Sequence, residues 1–304
     1  MKSKLSFLPF DWIILVYCGL MLLMIAAFGR PLGGYIDEAL FYASVIGLTA
    51  LIVRYANRSD NRRHMFIRLL YPGILFTFFY RATGGMMFLL HDGFFDWQLT
   101  TFEHMVFGVN PTIYIDRHWL NPFLNELFSA AYGSYYPMVA GLLLPVFFKR
   151  DDHVLKQANT ALCLTFFISY ILFFLYPVEG PRWFFAGDYL HTIDGSIFRG
   201  FVEFVIAEGA VRGGCMPSSH VAVALVVMMF CLRYYRVIGW VLVPFNIGLA
   251  IGTFWGRFHY VTDVFVGAII GVTVTLLVWR YYRPGASRGK PSSNRKQQEF
   301  EHAS

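Results

Sequence analysis

Uncharged apolar runs alternate with short polar segments along most of the chain, at 12–29, 39–53, 69–80, 127–148, 157–178, 221–232, 237–256 and 264–279. A helix needs ~20 apolar residues to cross a bilayer. The longer runs reach that length unaided, and the shorter ones reach it by extending over flanking polar residues. The pattern predicts an all-α multipass membrane protein of about eight transmembrane helices. The run 12–29 follows Lys2 and Lys4, as the apolar part of a secretory signal would. It is long for that role and lacks a small-x-small cleavage site, so a retained first helix is expected.

Two longer segments, about 82–124 and 179–216, interrupt the alternation. In the first, Phe102, Met105 and Val106 fall at helical spacing opposite Glu103 and His104, which predicts an interfacial helix. In the second, the stretch 198–206 is also amphipathic. Each reads either as loop packing with membrane anchoring or as a lid over a lipid headgroup. After Tyr282 the chain loses apolar periodicity, and a disordered basic tail over 282–304 is expected. There is no internal repeat.

Composition agrees with a membrane protein: 57% hydrophobic and 14% charged residues, with a mean hydropathy of +0.51. A net charge of +6 raises nucleic acid as a partner, but the basic residues cluster in short inter-helix loops and in the tail. With the N-terminus inside, 18 of the 25 fall on inner segments; Arg30, Arg81, Arg117, Arg182, Arg199, Arg212 and Arg257 fall on or near the outer side. This asymmetry fixes topology rather than recruiting nucleic acid. Both termini are then cytoplasmic, in a membrane expected to be a bacterial inner membrane, with an organellar one as the alternative. Cys18, Cys163, Cys215 and Cys231 show no paired spacing, and three of them sit inside apolar runs, which favours small buried hydrophobes.

The chemistry concentrates in three stretches on the outer side. Cys215-Met216-Pro217-Ser218-Ser219-His220 leads into one apolar run, and Arg257-Phe258-His259-Tyr260-Val261-Thr262-Asp263 leads into another. The nearly uncharged residues 221–256 between them suit a helical hairpin that returns the second histidine to the face of the first. His259 and Asp263, four apart at a helix start, share a face. A carboxylate there would fix the imidazole tautomer and make the other nitrogen more nucleophilic. Pro217, Ser218 and Ser219 form a helix-start signal whose free N–H groups suit phosphate, and His220 is placed to protonate a leaving oxygen. Gly180-Pro181-Arg182 offers an arginine on a rigid turn for forked recognition of phosphate oxygens. Taken singly, each stretch also fits an ordinary helix cap or an interfacial side chain. Arg81, Arg257 and Arg212 are further candidates, with snorkelling to the interface as the alternative. No metal-ligand cluster is evident, and no cofactor or metal is expected.

These motifs resemble the type 2 phosphatidic acid phosphatases, relatives of the vanadium haloperoxidases, whose pattern is Lys-x6-Arg-Pro, Pro-Ser-Gly-His and Ser-Arg-x5-His-x3-Asp. Pro217-Ser218-Ser219-His220 matches the second motif with serine for glycine; His259 and Asp263 match the end of the third. The resemblance spans roughly 124–281 and implies a catalytic helical core there, after N-terminal helices and an outer loop over 1–123. It implies His259 as the nucleophile forming a phosphohistidine, Asp263 as its partner, and His220 as general acid. Arg182, Ser218 and Ser219 would bind the phosphate of a membrane lipid. The chain departs from the pattern in having Leu175 for the lysine, Trp183 for the proline and Thr253 for the third-motif arginine. Arg257 or Arg81 is therefore expected to complete the clamp. The Gly-Pro-Arg-Trp and His-Tyr-x-x-Asp forms are similar to the branch that includes the inositol phosphotransferases of sphingolipid synthesis. The expected function is a metal-independent lipid phosphate or pyrophosphate phosphatase at the outer face. The alternatives are a lipid phosphotransferase and a non-catalytic lipid-binding or transport protein; the sequence leaves the oligomeric state open.

Overall fold

The computed structural model describes residues 6–29, 32–58 and 62–283. The expected disordered tail lies, from residue 284 on, outside the described residues. The chain folds as α1 (Pro9–Phe28), α2 (Ile36–Ala56), α3 (Arg62–Gly85), α4 (Asp96–Phe107), α5 (Pro111–His118), α6 (Pro122–Gly133), α7 (Tyr135–Phe148), α8 (Asp152–Leu175), α9 (Pro181–Phe184), α10 (Ile197–Gly209), α11 (Ser219–Tyr234), α12 (Arg236–Trp255) and α13 (Val261–Tyr281). The eight apolar runs become α1, α2, α3, α6 with α7, α8, α11, α12 and α13. Among the described residues six spans are long and apolar enough to cross a bilayer: α1, α2, the joined α6–α7, α8, α12 and α13. The others, α11, only 16 residues long, and α3, which carries several arginines, make the count of eight approximate.

The run 127–148 is not the single helix its hydropathy suggests. Pro137 has no N–H to give the carbonyl of Gly133, and the helix breaks at Ser134. The break turns Tyr132 and Tyr135 toward the start of α11.

α8 is the central helix, buried along most of its length against α1, α3, α7, α11 and α13. At one end of the bundle Arg68 of α3 donates to Asp11 at 2.7 Å, both side chains buried, and Tyr71 donates to the other Asp11 oxygen. At the opposite end, α8 and α12 finish where α11 and α13 begin. Here α13 crosses α11 closely: a Cβ on Gly267 would lie 2.3 Å from the Ser218 carbonyl oxygen, and one on Gly271 would lie 2.4 Å from that of Ala222. Only glycine allows this approach, which sets the spacing between the two helix starts.

α4 and α10 form in the two interrupting segments, as the amphipathic patterns predict. On α4 Phe102, Met105 and Val106 are exposed, and on α10 Phe198, Phe201 and Phe204, while Leu99 and Val202 are buried. The charged residues Glu103 and Arg199 are buried as well. Such helices cover the end of the bundle with their polar sides inward.

Candidate active site

Three turns converge where α11 and α13 begin. Ser218 caps α11 in extended backbone, its Oγ accepting the Val221 N–H, and its own N–H donates to the Asp263 carbonyl at 3.0 Å. Ser218 and Ser219 are both buried. Asp263 closes the first turn of α13 by accepting the Tyr260 N–H at 2.9 Å. The same carboxylate oxygen accepts the Cys215 S–H at 2.9 Å and lies 3.5 Å from His259 Nδ1.

His259 Nδ1 has a nearer acceptor than the expected carboxylate: the Cys215 carbonyl oxygen, at 2.8 Å. A carbonyl only accepts, so Nδ1 carries the proton and Nε2 is the free lone pair. Asp263 is thus the more distant partner of the imidazole. Burial, together with the charge of Asp263 and the hydrogen bond to it, pushes the Cys215 thiol well above its ordinary range and keeps it an S–H donor. Gly180 packs against this thiol at φ +101°, where a Cβ would be strained and would also sit 3.1 Å from the sulfur.

The hairpin of α11 and α12 brings the two histidines together, with ring centroids 5.9 Å apart. His220 Nε2 is 3.3 Å from the Tyr132 hydroxyl, the Tyr135 ring lies 4.4 Å away, and Nδ1 has no hydrogen-bond partner. Cys215, His259 and Asp263 offer three ligand-type atoms within 4.8 Å of one another, a spacing that could hold a metal ion. Their mutual hydrogen bonds account for the same spacing with protons alone.

Arg182 forks onto Glu203 of α10, with Nη1 and Nη2 at 3.1 and 2.6 Å from the two carboxylate oxygens. Arg199, one turn before Glu203, donates to the same carboxylate. Both guanidiniums lie over the Phe258 ring, at 5.9 and 5.4 Å, and that ring contacts Tyr132 beside His220. Burial alone would raise the Glu203 pKa, but the Arg182 hydrogen bonds and the charges of Arg199, Arg182 and Arg257 outweigh it and hold the carboxyl below its usual range. Arg257, with φ at +63°, donates to Asp116 at 2.6 Å and to the His191 carbonyl at 2.7 Å, and its guanidinium lies 3.7 Å from the Tyr189 ring centroid. Arg212 pairs with Glu179 at the exposed rim.

Arg81 is not part of this cluster. It is exposed on α3 and forms no hydrogen bond or ion pair with the histidines, Arg182 or Glu203. The guanidinium that shares Phe258 and Glu203 with Arg182 is that of Arg199. Inside an amphipathic stretch its charge gave no sign of which way it faced.

Sequence reasoning also missed a set of carboxylates that hold the turns in place, three from the first outer segment and Glu126 from α6. Asp96 accepts the N–H groups of Glu179 and Gly180 and the Tyr260 hydroxyl, each at 2.8 Å. Glu103 accepts the Thr262 N–H at 2.8 Å and its hydroxyl at 3.1 Å. Asp116 accepts from Leu190, His191 and Arg257, and Glu126 from the backbone starting α10. A negative side chain at a helix N-terminus satisfies orphan N–H groups and favours the dipole.

No solved structure matches this chain. A PA-phosphatase related-family protein of Dictyostelium discoideum is 29% identical over 138 residues, 44% of this chain. The matched region is about a quarter of that relative's length, 25%. Residues 97–277, more than half of the chain and all of the site's turns, match the PAP2 superfamily, to which this protein therefore belongs.

Proposed function

We propose that the chain is a membrane lipid phosphate phosphatase acting through a phosphohistidine. The observation that carries this reading is the pair of histidines from two helix starts, 5.9 Å apart, beside an arginine cluster built on one aromatic ring. His259 Nε2 attacks phosphorus, forming the P–N bond as the P–O bond to the lipid breaks. His220 delivers the proton to the departing oxygen. The Cys215 carbonyl and Asp263 take up the charge that develops on the imidazole. Water, deprotonated by His220, then attacks the phosphohistidine and releases inorganic phosphate and free His259. Arg182 binds the phosphate oxygens, helped by the N–H groups at the start of α11 and by Ser218 and Ser219. The unit doing this chemistry is the helical core from 124 to 281, with the outer segment of 1–123 bracing it. The basic-residue asymmetry supports a site at the outer face.

The test is phosphate release by purified protein in detergent from phosphatidic acid, a polyprenyl pyrophosphate and phosphatidylinositol, each with chelator and with a His259→Ala control. Chelator-resistant release lost in the variant is the expected result. Release that survives His259→Ala, or silence on every substrate, refutes it. Headgroup exchange on adding ceramide or diacylglycerol, without free phosphate, would assign a transferase.

A further inference from the structure

The charge around Glu203 is incomplete. Arg182, Arg199 and Arg257 place three guanidiniums against two carboxylates, Glu203 and Asp116, leaving one positive charge over. Arg199 is 7% exposed, yet its Nε has no hydrogen-bond partner. A buried guanidinium N–H without an acceptor is costly. The two oxygens of Glu203 sit in the fork of Arg182 as two oxygens of a phosphate would. A phosphate has two more oxygens and, as a monoester at neutral pH, nearly one more negative charge.

We infer that Glu203 is an internal stand-in for substrate phosphate and that Arg199 is a phosphate-binding residue: an incoming phosphate dianion displaces the carboxylate, keeps the Arg182 fork and supplies the acceptor that Arg199 Nε lacks. No covalent bond changes in this exchange. With the dianion in place of the carboxylate the cluster is neutral; with a phosphodiester monoanion one charge stays uncompensated. The site therefore selects phosphate monoesters or terminal pyrophosphates over diesters. α10 is suited to the exchange because its outward face is apolar, with Phe198, Phe201 and Phe204 exposed, and only Arg199 and Val202 of its side chains are buried. The inference deepens the phosphatase reading and rests on it for where the bound phosphate reacts.

The experiment is titration of inorganic phosphate into the purified full chain in detergent, followed calorimetrically. Glu203→Gln removes the competing charge and is expected to tighten phosphate about tenfold, the scale of one charge-assisted bond. Arg199→Lys keeps the ion pair but loses Nε, and is expected to weaken phosphate about tenfold at an unchanged melting temperature. Unchanged or weaker binding in Glu203→Gln would show the carboxylate to be a brace for the arginines. Unchanged binding in Arg199→Lys would remove Arg199 from the site, and that variant decides alone if Glu203→Gln does not fold. The titrations are repeated in His259→Ala, which is expected to lose lipid turnover. Lipid turnover surviving in His259→Ala would sink the catalytic reading while leaving the exchange to be judged on these affinities.

Discussion

Gly267→Ala tests whether the crossing of α13 over α11 sets the distance between the histidines. The added Cβ would lie 2.3 Å from the Ser218 carbonyl oxygen, where ordinary contact begins at 3.4 Å. Neither atom can rotate away, since one is backbone and the other is fixed to it. The two helix starts must therefore part by about 1 Å, the size of displacement that costs about 100-fold when it separates reacting groups. Overpacking of this kind also costs about 1–3 kcal/mol of stability. The assay is phosphate release at saturating lipid, alongside thermal unfolding in the same detergent. Gly47→Ala on α2, with nothing within 4 Å of its Cβ, is the control and should match wild type in both. Gly271→Ala makes the same clash one turn deeper, 2.4 Å from the Ala222 oxygen, and should lose similar stability with a smaller loss of turnover. Wild-type turnover in Gly267→Ala would refute the spacing argument, since the site would tolerate the very displacement it is held against.

Arg68→Met leaves Asp11 as an unpaired buried carboxylate and should cost about 3–5 kcal/mol, with most of the loss recovered in the Asp11→Asn/Arg68→Met double variant; a melt of the single variant unchanged from wild type contradicts this. Glu103 has its pKa raised from 4.5 to about 7 by burial, which outweighs the hydrogen bonds from Thr262. The folded state thus holds the proton more tightly, and stability present below about pH 4.5 should decline as the pH rises through about 7. Glu103→Gln keeps an acceptor for Thr262 and should flatten that slope; parallel melting-temperature profiles for the two proteins would discount Glu103. Cys215→Ser retains a donor to Asp263 and should keep turnover within a few-fold, whereas Cys215→Ala should lose about tenfold. Equal rates in the two variants would mean the thiol's hydrogen bond has no effect on the reaction.

The spans were legible because burial in a bilayer demands uninterrupted apolar sequence, and the histidine motifs were legible because each lies where such a run starts. Hydropathy could not register the break at Ser134, where the cause is the missing N–H of Pro137 three residues on. Arg81 interrupts an apolar run and Arg199 lies in an amphipathic stretch, and neither setting tells which way the side chain faces. Only packing shows that one faces outward on α3 and the other inward on α10. Cys215 read as a small hydrophobe, and it is buried, but its neighbour across the turn is Asp263. The bracing roles of Asp96, Glu103, Asp116 and Glu126 depend on partners more than sixty residues away, which local patterns cannot register.

The bond from Glu103 to Thr262 spans 159 residues, and that from Asp96 to Tyr260 spans 164. A ribosome adding about 5–20 residues per second needs roughly 8 to 32 seconds to cover that distance. During this interval α4 is already made, while the backbone N–H group that Glu103 will cap has not been synthesised. The earlier helices can pack meanwhile, because the contacts among α1, α2 and α3 and those of α8 with α1 and α3 lie wholly upstream. The contacts that Asp96 and Glu103 make with the start of α13 therefore form only after the last helix has been made.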